Sequence, residues 1–127
     1  MVKNEIRYIE LKTGYSDDGP AWIGKVKLSK SGNTIYFNNQ AFRKHQGIAG
    51  NYYDVETQEE YWISGIKKDG FDRHWAGHGK VVMDRDIVMD YLAITGRKTI
   101  DQGRYEIVDI PVAYPIDRIN ELENRIE

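Results

Sequence analysis

The chain has 127 residues, with 18 Lys+Arg against 20 Asp+Glu, three Trp, nine Tyr, three Phe and no cysteine. That length fits one domain, and the absence of cysteine excludes a disulfide framework, a thiolate zinc site and a cysteine nucleophile. At 40% hydrophobic and 30% charged the chain is too apolar for a disordered segment and too polar for a membrane protein. No apolar run approaches the ~20 residues that span a bilayer, and Met1-Val2-Lys3-Asn4-Glu5 lacks the apolar stretch of a signal peptide, so a soluble, cytoplasmic protein is expected. The near-neutral total hides an asymmetry. Residues 1–80 carry 12 Lys+Arg and 10 Asp+Glu, whereas residues 81–127 carry 6 and 10. Neither part has the basic excess of a dedicated duplex binder.

Ten of the twelve glycines precede residue 81, interleaved with short runs rich in Val, Ile, Tyr, Trp and Phe, which predicts antiparallel β structure. Glu5–Leu11 is the first strand and ends in a polar loop over residues 13–20. Trp22, Gly24, Val26 and Leu28 then alternate with Ile23, Lys25, Lys27 and Ser29, a period-two pattern. Ser31-Gly32-Asn33 turns the chain into Thr34–Phe37, so residues 21–38 read as a hairpin. A second hairpin joins Tyr52–Val55 to Tyr61–Ile66 across Glu56–Glu60, and Asp69-Gly70 turns the chain into a further strand within residues 71–83.

From Asp84 the period changes. Asp84 or Asp86 supplies a helix cap, Ile87, Val88, Tyr91 and Leu92 recur at three-to-four spacing, and Gly96 offers a stop, which predicts a helix over 86–95. Arg104–Ile110 reads as a last strand, ended by Pro111. Ile116, Ile119, Leu122 and Ile126 then form one stripe of an amphipathic helix over 116–126. A helix of about 11 residues is marginal alone in water, so it docks on the sheet or on a second copy of the chain. The predicted fold is mainly β: one domain over 1–127, a small open barrel or curved antiparallel sheet over about 4–83 and 104–110, with a short helix and a C-terminal helix.

The strings Arg7-Tyr8-Ile9-Glu10-Leu11-Lys12-Thr13-Gly14, Gly19-Pro20-Ala21-Trp22-Ile23-Gly24, Ser29-Lys30-Ser31-Gly32, Thr34-Ile35-Tyr36-Phe37, Gly50-Asn51-Tyr52-Tyr53-Asp54 and Arg73-His74-Trp75-Ala76-Gly77 together resemble a group of short bacterial proteins of unknown function. The similarity runs over roughly residues 5–95. That group often carries an automated label of 1-deoxy-D-xylulose-5-phosphate synthase. Such a synthase is a thiamine-diphosphate enzyme several times longer, with a Gly-Asp-Gly motif for diphosphate and magnesium. This chain has no Gly-Asp-Gly, and Asp17-Asp18-Gly19 and Lys68-Asp69-Gly70 fall in predicted loops with no helix following. The resemblance therefore implies no activity and carries over no catalytic residue, and no cofactor is expected.

The most specific chemical string is Asp72-Arg73-His74-Trp75-Ala76-Gly77-His78-Gly79-Lys80. On a regular strand Asp72, His74, His78 and Lys80 share a face, and two imidazoles with a carboxylate suit a metal such as Zn²⁺. Residues four apart on a strand are about 13 Å apart, so both histidines reach one ion only if the backbone bends, for which Gly77 and Gly79 give the opportunity. The plainer reading is a polar strand face. A hydrolase or nuclease centred on His74 and His78, with Lys80 stabilising a phosphoryl group, needs a second acid or base such as His45, Glu59 or Glu60. Neither the serines nor the glycine-rich stretches have nucleophile-elbow or phosphate-loop spacing.

The aromatics carry the stronger reading. Adjacent pairs such as Tyr52-Tyr53 and Tyr61-Trp62 must put one member on each face of a strand. A sheet surface presenting Trp62, Tyr52 or Tyr53 beside Arg43, Lys67 and Lys68 would suit a protein segment or single-stranded nucleic acid. The sequence thus predicts a binding module without catalysis of its own, able to self-associate through the C-terminal helix.

Overall fold

We describe a computed structural model of the chain, covering residues 3–12, 20–29, 31–45, 50–68 and 80–110. The predicted histidine string through Gly79, including Asp72, His74 and His78, and the predicted helix at 116–126 lie outside these residues.

The alternating runs form the strands β1 (Lys3–Leu11), β2 (Ala21–Leu28), β3 (Thr34–Phe37), β4 (Gln40–Lys44), β5 (Tyr52–Asp54) and β6 (Glu60–Gly65). Neighbours along the order β1-β6-β5-β4-β3-β2 pair antiparallel, and β1 pairs β2 as well, so six strands close into a barrel. Closure removes the exposed edges an open sheet would carry. The sequence left open or curved as the form; β1 pairing with β6, from Arg7↔Gly65 to Leu11↔Tyr61, as well as with its sequence neighbour β2, decides it.

β4 is a strand the sequence reading did not identify. Asn38 and Asn39 lie at φ 49° and 62°, between Phe37 and Gln40, which pair directly. Two consecutive residues in the left-handed region make the tight hairpin turn whose twist matches the strands, and asparagine tolerates it better than most residues.

The predicted strand across 71–83 also differs. Its end forms β7 (Val81–Asp84), which pairs not as a hairpin with β6 but parallel to β2, through Trp22↔Val82 and Ile23↔Met83. Parallel neighbours need a crossover, and β8 (Tyr105–Val108) runs parallel to β7 after one. That crossover contains a 3-10 turn, Arg85–Ile87, and the helix α1 (Val88–Thr95). The Asp84 side chain accepts from the Asp86 amide at 3.1 Å, and Gly96 at φ 71° ends the helix, as the sequence predicts. β2 therefore divides its second edge, giving Lys27 and Leu28 to β3 and Trp22 and Ile23 to β7.

Two cores result. Ile9, Val26, Ile35, Phe37, Phe42, Tyr61 and Ile63 fill the barrel, while Tyr8, Ile23, Met83, Ile87, Tyr91 and Tyr105 form a second layer where α1 covers the outer face of β1, β2 and β7. In this layer the Tyr91 and Tyr105 hydroxyls lie 2.8 Å apart. Among the described residues no helix is long and apolar enough to cross a membrane.

Two barrel phenols give a pH prediction. Burial raises the Tyr52 pKa above its ordinary 10.0, against the lowering effect of the Arg7 guanidinium; burial does the same for Tyr61, against its hydrogen bond from Gln40. In the unfolded chain these phenols lose their protons near pH ~10, whereas the barrel keeps them protonated to higher pH. Above that pH the folded state binds more protons, so stability falls as pH rises through it. The expected result is a steeper alkaline decline of Tm in the wild type than in Tyr61→Phe, read by thermal melts together with phenolate absorbance. Equal slopes would contradict it.

Candidate functional site

The register decides which aromatics face outward. Tyr52 opposes Tyr61, and Tyr53 opposes Glu60; Tyr52 and Tyr61 point into the barrel, Tyr53 and Trp62 out of it. Tyr52, 8% exposed, is a core side chain and not part of the binding surface, because residues alternate faces along a strand and its partner Tyr61 belongs to the interior set. Tyr53 is half-buried, and Trp62 is 41% exposed.

Arg43 lies opposite Tyr53 on β4, so Arg43, Tyr53 and Glu60 form one row across the outer face of β4, β5 and β6. The Arg43 Nη1 donates to Thr34 Oγ1 at 3.2 Å, drawing its guanidinium toward β3. Lys67 and Lys68 are exposed past the end of β6 at Gly65, with about 10 Å of strand separating Gly65 from Trp62. Lys80 is exposed immediately before β7. The structure thus joins Arg43 and Tyr53 in one row beside Trp62, while the predicted lysines stand apart from it.

Two of the acid/base residues considered in the sequence do meet. His45 Nε2 lies 3.7 Å from Glu60 Oε1, with the imidazole edge-on to Tyr53 at 4.9 Å between ring centroids. Glu60 Oε1 also accepts from the Gly50 amide at 3.4 Å. The imidazole thus stands beside the carboxylate at the start of β6 without a hydrogen bond from Nε2. Among the described residues no group of three or more His, Cys, Asp or Glu could hold a metal ion.

Sequence reasoning missed the neighbour of Trp62 on β1. Glu10 stands directly opposite Trp62 and is 2% exposed. Its carboxylate accepts from the Tyr8 hydroxyl and from Lys12 Nζ, the latter at 3.0 Å. An isolated buried carboxylate is costly, and these two donors compensate it. The spacing Tyr8-x-Glu10-x-Lys12 is the signal: three polar groups at alternate positions share one strand face.

Along β6, Trp62 is flanked on its own face by Glu60 and Ser64. The turn leading into β6 is fixed by Asp54, whose Oδ1 accepts from the amides of Glu56 at 2.8 Å and Thr57 at 3.2 Å. The carboxylate's other oxygen accepts from Gln40 Nε2 at 2.9 Å. Asn51 further fixes β6 by donating to the Ile63 carbonyl and accepting from the Ile63 amide, both at 2.8 Å. Trp62 is therefore presented from a strand held on both sides, which suits recognition without rearrangement. Comparison of the chain with protein-family models, with curated proteins and with solved structures gives no match.

Proposed function

We propose that this chain is a non-catalytic binding module that meets its partner on the outer face of β4, β5 and β6. The observation that carries the reading is Trp62, 41% exposed on a strand held by β1 and β5, beside the half-buried Tyr53. Large aromatic rings lose little conformational freedom on binding and dominate recognition surfaces, so a fixed, accessible indole is a natural anchor. Arg43 borders this face and Lys67 and Lys68 lie past its end, which gives the partner polar contacts at the margin.

The test is site-specific photocrosslinking in cells, with a photoreactive aromatic residue at position 62 and, as control, at position 106, which is exposed on β8. A discrete adduct from position 62 and none from 106 is expected. No adduct from 62, or the same adduct from both, would overturn the reading. Trp62→Ala is expected to cost about 1–3 kcal/mol, less than loss of a fully buried ring, because the indole is 41% exposed and the rest packs on the sheet. Thermal melts check this.

A further inference from the structure

We propose that the segment docking on Trp62 is a cationic peptide stretch of a protein, with a lysine or arginine side chain laid over the indole; this rests on the binding-module reading above. Among the described residues the exposed large apolar side chains are Trp62, Met89 and Ile94, and the latter two belong to α1. Trp62 alone of these offers a π face, and the negative face of an indole attracts an ammonium or guanidinium group within about 6 Å.

On the side of the β5–β6 turn the charge has the complementary sign, whereas Lys67 and Lys68 lie past the other end of the strand. Residues 54–62 contain four carboxylates, Asp54, Glu56, Glu59 and Glu60, and no Lys or Arg. Asp54 is buried in its capping role, but Glu56 and Glu59 are exposed, and half-buried Glu60 shares the face of Trp62. The nearby cations are already engaged. Lys12 Nζ is bonded to Glu10, directly across from Trp62, so that pair adds no net charge beside the indole, and Arg43 reaches toward Thr34 on β3. A nucleic-acid strand draws its affinity from cations along its phosphates, and the approach to Trp62 along the β5–β6 turn is lined with carboxylates instead. A cationic peptide gains from both features: its side chain stacks on the indole, and its charge is attracted by Glu60, with the exposed Glu56 and Glu59 further along the turn.

The full-length chain, labelled for NMR, is titrated with an arginine/glycine/serine peptide, with the same peptide carrying glutamate for arginine, and with an oligothymidylate. The readout is the Trp62 indole N–H, assigned by its loss in Trp62→Phe. The arginine peptide is expected to shift this signal saturably, and the double variant Glu59→Lys/Glu60→Gln, with its fold checked by an unchanged amide spectrum elsewhere, to bind about tenfold more weakly. A Trp62 shift with the glutamate peptide or the oligonucleotide and none with the arginine peptide overturns the cationic assignment, as does undiminished affinity in the double variant or no response to any probe. Those outcomes leave a crosslink at position 62 standing. Only the loss of that crosslink removes the binding-module reading as well.

Discussion

Replacing Phe42 with alanine is expected to cost about 3–5 kcal/mol and to lower Tm by roughly 10–20 °C. Phe42 is wholly buried in the barrel, and its ring lies 4.6 Å from that of Tyr61, tilted by 58°. It sits on β4, paired to Ile35 on one side and Asp54 on the other. Removal of the ring leaves a cavity that a hydrogen-bonded barrel wall cannot collapse to fill, so both the transfer and the cavity contributions are lost. The variant should also weaken the tie between β4 and β6, because the Phe42–Tyr61 contact spans the barrel interior between them. Thermal and denaturant unfolding check the magnitude. A loss under about 1 kcal/mol would contradict the placement of this side chain in the core.

Gly50→Ala is expected to be nearly as damaging, at about 2–3 kcal/mol. A Cβ at Gly50 would lie 2.5 Å from the carbonyl oxygen of Tyr61 and 2.9 Å from its carbonyl carbon and amide nitrogen. These are backbone atoms of β6, so no rotamer change relieves the overlap, and one chain must move. The Asn51 amide donates to the Tyr61 carbonyl at 3.0 Å, and the His45 amide to the Asn51 carbonyl at 3.1 Å, so a shift at Gly50 disturbs the ladder on both sides. Gly65→Ala is the control, since nothing lies within 4 Å of a Cβ built there. The expected contrast is a lower Tm and faster amide exchange around Tyr61–Ile63 in Gly50→Ala, with Gly65→Ala close to wild type. Equal behaviour of the two variants would show that β6 does not approach Gly50 as closely as described.

The local elements were legible in the sequence because their signals are local. Alternation in Trp22–Leu28, the turn at Ser31-Gly32-Asn33 and the cap-to-stop pattern from Asp84 to Gly96 each depend on neighbouring residues, and each is present in the structure. The rule that adjacent aromatics split between faces likewise separated Tyr52 from Tyr53 and Tyr61 from Trp62. A signal for β4 was present as well, in the pair Asn38-Asn39, whose tolerance of left-handed backbone marks a hairpin turn.

What the sequence could not decide was long-range. Which member of each aromatic pair faces inward depends on register against distant strands, since a slip of one residue would exchange the two faces. The parallel pairing of β7 with β2 and the closure of β1 against β6 join residues far apart in the chain, and no short-range pattern records such partners. The burial of Glu10 opposite Trp62 follows from that closure, and the meeting of His45 with Glu60 from the register of β4, β5 and β6. By itself the sequence determined that strands with two-faced aromatics would form, because backbone geometry alternates side chains whatever the fold. Only the tertiary structure decided that Trp62 would be an aromatic left at the surface and that the Glu10–Lys12 pair would stand across from it, because exposure and electrostatic surroundings depend on which strands the barrel brings side by side.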